Sequence, residues 1–541
     1  MIFIKNRNMY FSNKILLSFF IILSLNLYSQ KLPNKVIFEL GIEQTIKKRS
    51  STLEQVISSD ENGIYIIKSE TQGVHLYIGD EDVAGKFRLT LEHFDKELIL
   101  IKSKVLDFQK EKKNIEFIFQ LNNKIYLFVS ETNKKEEKVI LSQYEIDKST
   151  FEISEEVKQV AEYSIEGLNK LDPGDFNHSI SNDSSKVLIY YNFPNKDDEK
   201  NQYMLYIYDN QFNLINKEHL ITPYIKKVLT VENVKIDNKG DVHILARNYS
   251  DDKEDRTKYS PNHQYLLFSY LSSNKKTIEN RLSLNNKIVT EFDFILDNND
   301  NIICAGFYSE EDIYSIKGLF ITKIDGATNT IKVEKVHEFD LEFITKDISQ
   351  REREKKEKQQ EKDKNIEMEN YFLDHILLKD DGGIIIIGEN FSTRIRFTST
   401  PNGGTTSETV YFHNNIIITS LSAEGNVEWH QKIKKNQATA NTVESSSYGL
   451  AKINNTLYFI FNAMQGENNK LIYNHSNYYK KSILAIIGID DKGIISEDKL
   501  FGFEESNVLM KPRLGKQISD NEFLLFGKIK KIHRFAKVTF H

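Results

Sequence analysis

Two stretches combine flat aromatic rings with amide and imidazole groups at close spacing. One is Tyr473-Asn474-His475-Ser476-Asn477-Tyr478-Tyr479; the other brings together Tyr259, His263 and Tyr265. Tyrosine gives a large contact area for few rotatable bonds, and amides beside it match hydroxyl and peptide groups. Tyr259, His263, Tyr265, Tyr473, His475, Tyr478 and Tyr479 are therefore the candidate ligand-binding residues. The motifs of catalysis are missing. The 13 histidines include no HExxH and no pair at zinc-ligand spacing. GxSxG, P-loop and dinucleotide fingerprints are absent as well. Asp297-Asn298-Asn299-Asp300-Asn301 and Lys379-Asp380-Asp381-Gly382-Gly383 look like calcium loops, but neither supplies both a Gly at position six and a Glu at position twelve. No catalytic residue, metal or cofactor is assigned. The 78 acidic residues leave paired carboxylates for polysaccharide chemistry open.

These residues must be carried by something large. The chain has 541 residues, of which 39 % are hydrophobic, 28 % charged and 11 % aromatic. That is too apolar for a disordered chain, and a mean hydropathy of −0.47 excludes a polytopic membrane protein. A net charge of −6 provides no footprint for nucleic acid. Residues 1–29 read as a cleaved export signal: Lys5, Arg7 and Lys14 precede the apolar run Ile15 to Leu25, and small Ser29 stands at the cleavage position. Eleven apolar residues reach only about 16 Å as a helix, short of a hydrocarbon core of ~30 Å. The expected address is periplasmic or extracellular, with no transmembrane segment after cleavage. Cys304 is the only cysteine, so no internal disulfide forms; its setting, Ile302-Ile303-Cys304-Ala305-Gly306, is that of a buried inner strand.

The rest of the chain repeats. A β-run, a turn rich in Asp, Asn or Gly, and a strongly apolar β-run recur, with turn markers at Asp60, Asn122, Asn182, Asp237, Asp297, Asp380, Asn454 and Asp520. The spacings are 62, 60, 55, 60, 83, 74 and 66 residues. A second hairpin follows in each unit, as in the runs from Met204, Leu319, Ile416 and Ile483. Two hairpins per unit make four antiparallel strands, and the second strand is apolar on nearly every residue, as a strand between two neighbouring sheets must be. The pattern predicts an all-β fold, a single eight-bladed β-propeller over residues 30–541, with seven blades as the alternative. The last unit lacks an outer strand, which Lys35 to Leu40 would supply beside Arg534 to Phe540, closing the seam between the chain ends.

Strand parity places the short first and third turns of each unit on one face of the disc. The long connections Asn195–Asn201, Asn248–Asn262, Tyr308–Ile316, Phe391–Asn414 and Asn462–Lys481 fall on the other, and function concentrates on such loops. Thr398–Ser407 is flexible by composition. A charged insertion, 343–369, reads as a solvated helix or a disordered spacer; Arg351 to Lys364 hold seven cations and five acids. The repeat resembles the β-propeller superfamily, in particular secreted bacterial propellers, and Ala423-Glu424-Gly425-Asn426-Val427-Glu428-Trp429 resembles the turn element of quinoprotein-like blades. The resemblance implies the fold and no quinone chemistry. The expected function is an exported, monomeric, non-catalytic scaffold that binds a glycan or an envelope protein through its long-loop face. The alternative is a polysaccharide hydrolase or lyase with acids at the mouth of a central channel.

Overall fold

A computed structural model describes residue 32 and residues 35–541, apart from 46–50, 73–76, 79–80, 83–85, 109–112, 166–174, 195, 250–262, 285–286, 347, 363–364, 400–403, 441–442, 466–470, 473 and 476–478; side chains of 71–87 and 465–479 are not described. The export signal, 1–29, lies outside the described residues.

Among the described residues, eight sheets have four or more strands. Numbered in chain order, sheets 1 to 7 span residues 52–106, 113–164, 176–225, 229–282, 288–338, 371–440 and 449–502, and sheet 8 spans 509–540; sheet 6 also takes up Asn474–His475. In sheet 1 the strands are Thr52–Asp60, Gly63–Gln72, Lys86–Phe94 and Leu100–Leu106, each antiparallel to the one before. All eight turn markers fall at the turn between the first and second strands of a sheet. The chemistry of those turns is local. Asp237 accepts the N–H groups of Lys239 and Asp241 at 2.9 and 2.8 Å, and Asp297 does the same for Asn299 and Asn301 at 2.8 and 2.9 Å. Asn122, Asn123 and Asn454 turn with φ of 49°, 61° and 52°, a conformation asparagine tolerates. Carboxylates spent on turn N–H groups are structural, and no cluster of metal-ligating side chains occurs among the described residues.

Packing then orders the sheets. Tyr65 and Leu91 of sheet 1 meet Ile125 and Leu127 of sheet 2, and every later sheet shares a core with the next. The series returns on itself: Phe526 and Phe535 of sheet 8 pack on Ile66 and Phe94 of sheet 1. Each fully buried aliphatic or aromatic side chain stabilises by ~1.5–3 kcal/mol, so adhesion between neighbouring sheets holds the fold without disulfides. Sheet 8 is completed from the other end of the chain. Val36–Leu40 pairs antiparallel with Ile532–Phe540, Val36 opposite Phe540 and Leu40 opposite Ala536. The architecture is that of a β-propeller. Cys304 is fully buried in the second strand of sheet 5.

Three segments refine the sequence reading. Phe391–Asn414, expected as a loop, is largely strand: Ile384–Ser399 and Thr405–Leu421 continue pairing to Ser399 opposite Thr405, forming an arm that projects from sheet 6. The charged insertion contains the helix Gln350–Gln360, capped by Ser349, whose hydroxyl accepts the Glu352 N–H while Glu352 returns a bond to the Ser349 N–H. None of its residues is buried. Met368–Glu369 pairs with Ser315–Ile316 and ties the end of the insertion to sheet 5.

Candidate functional site: the polar rim of the central channel

The first strand of each sheet is the innermost. Those of sheets 3 to 6 enclose one cavity of about 490 Å³, lined by Ser179 and Ile180, by Asn233 to Ile236, by Ile295 and Leu296, and by Ile376 to Leu378. This is the channel, and at the short-turn end its wall is mostly aliphatic. One turn of strand above, toward the long-loop face, the lining changes to charge.

β-Bulges make the change. In four inner strands a residue skipped in the pairing with the second strand is an acid, namely Glu54, Glu116, Glu232 and Asp374; the strand of Glu54 has a second skip, at Ile57. A bulge bends the strand and re-aims the extra side chain. In sheet 5 the skipped residue is Thr290, with Glu291 next to it. In sheet 3 Asp175 directly precedes the inner strand Phe176–Ile180. Six consecutive sheets thus carry a carboxylate at nearly one level.

Electrostatic coupling links Glu232, Glu291 and Asp374 to one another and Glu116 to Asp175. The Glu291 carboxylate accepts the Leu373 N–H, which seats it beside Asp374 on the next inner strand; confinement by protein, then the charges of Glu232 and Asp374, push it up to about 7 against the pull of Arg247. Asp374 is reached by solvent along the channel, yet desolvation and the neighbouring Glu389 push its carboxyl up to about 7 as well. The Tyr448 hydroxyl donates to Asp374 at 2.7 Å. Glu116 is raised chiefly by burial and also by Asp175, while accepting the Ser130 hydroxyl and the Phe176 N–H. Arg247 spans the acids of sheets 4 and 5: it lies 3.0 Å from Glu232, bonds the Tyr249 hydroxyl and covers the Tyr265 ring.

Behind the rim sits a buried ion cluster. Glu389 meets His413 and Lys435, each at 2.6 Å, with side chains 4 % exposed or less. Lys435 also donates to the His413 carbonyl and to Gln437. The remaining sector is cationic. Arg513 faces Asp374 electrostatically, Lys511 pairs with Glu444, and Lys516 and Lys528 donate to the Val56 and Ser51 carbonyls of sheet 1. The rim is therefore dipolar, with acids over sheets 1 to 6 and cations at sheet 8. A carboxyl near 7 is part-protonated at neutral pH, so Glu291 and Asp374 can each donate or accept a hydrogen bond or exchange a proton.

Of the residues singled out from sequence, Tyr265 reaches the rim, through Arg247. Tyr259, Tyr473 and Tyr478 fall outside the described residues. His475 is placed in backbone only, parallel to Gln437, and Tyr479 starts a short 3-10 turn. His263 opens the third strand of sheet 4, between the rings of Tyr249 and Tyr265. Tyr265, expected to bind ligand, lies inside that strand, 2 % exposed and packed on Phe292. Its ring supports Arg247 and offers no free surface. The rim acids were not singled out, although a signal exists: each lies five to seven residues before its turn marker.

No family model and no curated protein matches the chain. Among solved structures it is similar to the polysaccharide lyase Uly1 (10 % identity, 93 % of this chain and 99 % of that one, TM-score 0.37). It is also similar to the WD40 domain of SCAP from fission yeast (8 %, 94 % and 98 %, 0.38) and to the β-propeller domain of the Trilobed protease from Pyrococcus furiosus (10 %, 86 % and 98 %, 0.35). Scores this low carry no residue role and no activity; the propeller rests on the sheets and cores described above.

Proposed function

We propose that the chain is an exported, monomeric eight-bladed propeller that binds a glycan or an envelope protein on its long-loop face, at the channel mouth. The eight sheets are its blades, with the seam sealed by Val36–Leu40. The observation that carries the reading is the column of bulge-borne acids, Glu54, Glu116, Glu232 and Asp374, joined by Asp175 and Glu291 and opposed by Arg513. Bulges are retained where a side chain must be aimed, and rim groups of both signs fix the orientation of a polar ligand. Export rests on the pattern of residues 1–29 and no metal or cofactor is invoked.

A second reading is favoured by one feature: two neighbouring carboxyls, Glu291 and Asp374, both pushed to about 7. Such a pair suits an acid and a base in polysaccharide hydrolysis or elimination. The mature protein, presented to a glycan array and used in pull-downs from cell envelope, should give a signal that Glu291→Gln combined with Asp374→Asn abolishes. Silence in both assays, together with release of reducing or unsaturated ends from polymer, would replace the scaffold by the enzyme. Retention of the export segment in the mature mass would remove the exported address.

A further inference from the structure

The opposite face carries a second, separate opening. Sheets 5 and 6 meet tightly at their short-turn ends because a lysine fills the seam: Lys323 Nζ donates to the Gly382 carbonyl at 2.9 Å and to the Ala423 carbonyl at 2.6 Å, one in each turn of sheet 6. Lys323 lies opposite Ile303 in its sheet. The same register position in sheet 6, opposite Ile385, is Ser420. A serine cannot cross to the turns of sheet 7. Its hydroxyl stays at home, donating to Glu428 at 2.6 Å. The seam between sheets 6 and 7 is left open as a cleft of about 300 Å³.

The cleft is built rather than empty by accident. Its floor is aliphatic, formed by Ile385, Leu457 and Ile489. One wall is Trp429, the only tryptophan of the chain. The indole is fixed: Nε1 donates to the Asp491 carbonyl at 2.9 Å, and Gly493, with φ of 78°, lies so close that a Cβ there would stand 2.8 Å from ring atoms. Opposite stands the turn of Asp380 and Asp381, with side chains 85 % and 58 % exposed. Lys379 is committed to Asp381 and Glu428 at 3.0 and 2.6 Å, and Lys452 donates to the Leu378 carbonyl and lies 3.4 Å from Asp380. With Asp490 and Asp491 also on the lining, five acids face two lysines, a balance of −3.

We propose that this inter-sheet cleft is a sugar-binding subsite, distinct from the channel rim, that takes one pyranose ring and prefers a protonated amino sugar. An aliphatic floor and a rigid indole suit the C–H face of a pyranose, and exposed carboxylates accept hydrogen bonds from its hydroxyls. The volume is at the lower end of the ~300–1,000 Å³ usual for small-ligand pockets, which fits one ring rather than a buried polymer. The charge balance selects a cation over a neutral or anionic ring.

Trp429 provides its own readout. Tryptophan emission is titrated with a glucosamine tetramer, a glucose tetramer and a galacturonate tetramer, at low and high salt. The glucosamine tetramer should shift the emission and bind at least tenfold more tightly than the glucose tetramer, with affinity falling as salt rises; the galacturonate tetramer should leave it unchanged. Ser420→Lys, which fills the seam as Lys323 does in the neighbouring one, should abolish the response while leaving the melting curve intact. Asp380→Asn, on an exposed turn, should weaken glucosamine binding and spare glucose. Equal responses to all three tetramers, no response up to millimolar ligand, or a full response in Ser420→Lys would overturn the proposal. None of these results bears on the channel rim, whose ligand is tested separately.

Discussion

Replacing Glu291 by Gln should stabilise the protein at alkaline pH and leave it nearly unchanged at acid pH. The carboxyl is held at about 7, against an ordinary value of 4.5, mainly because protein surrounds it. Its protonated form is the one the folded state favours. The stability linked to this group is therefore complete below 4.5 and is lost as pH rises through about 7. A shift of that size corresponds to about 3 kcal/mol at ~1.4 kcal/mol per pH unit. Screening by solvent in the channel reduces this to roughly 1–2 kcal/mol. Glutamine does not titrate, and its Oε1 still accepts the Leu373 N–H. The advantage of the variant should thus grow from a few tenths of a kcal/mol at pH 5 to the full value at pH 8.5. Guanidinium unfolding of both proteins at pH 5, 7 and 8.5 reads it directly. A difference independent of pH, or a variant that loses ground above pH 7, would refute the raised carboxyl of Glu291.

Other consequences are equally direct. Lys435→Met leaves Glu389 buried with its main cation removed and should cost about 3–5 kcal/mol, seen as a lower melting temperature; adding Glu389→Gln should recover much of the loss. Phe38→Asp disrupts the closing strand where Phe38 meets Phe501 at 4.8 Å, and should lower the melting temperature and produce concentration-dependent association in light scattering as the edge of Ile532–Phe540 is exposed. Cys304 is fully buried and burial pushes its thiol up, so a thiol reagent should label nothing in native buffer and one equivalent after unfolding.

How much of this was legible depends on how local the cause is. The turn markers could be read because an Asp such as Asp237 makes its turn with N–H groups two and four residues on. The closing strand could be read because Val36–Leu40 has an extended pattern and the last unit lacks an outer strand. The arm of sheet 6 could not: TSTPNGGTTS has loop composition, and only pairing with a long partner makes its flanks strands. The burial of Tyr265 could not be read either, since the ring that covers it, Phe292, comes from the next sheet.

The rim required a still less local fact. Whether Glu116 or Asp374 faces the channel depends on a residue being skipped in the register with the second strand, and no feature of the acid itself announces this. Aligning the units on their turn markers would have exposed the column, because the repeat converts a non-local register into a fixed offset. The same alignment shows where the column ends: Tyr448 and Arg513 occupy its place in sheets 7 and 8. That interruption has a physical reason. Six carboxylates around one opening repel, and the charges of Glu232 and Asp374 both add to the rise of Glu291. A hydroxyl on Asp374 and a cation facing it offset part of that repulsion. The break therefore gives the rim a direction, and a ligand bound there must present its positive and hydroxyl-rich side to sheets 1–6.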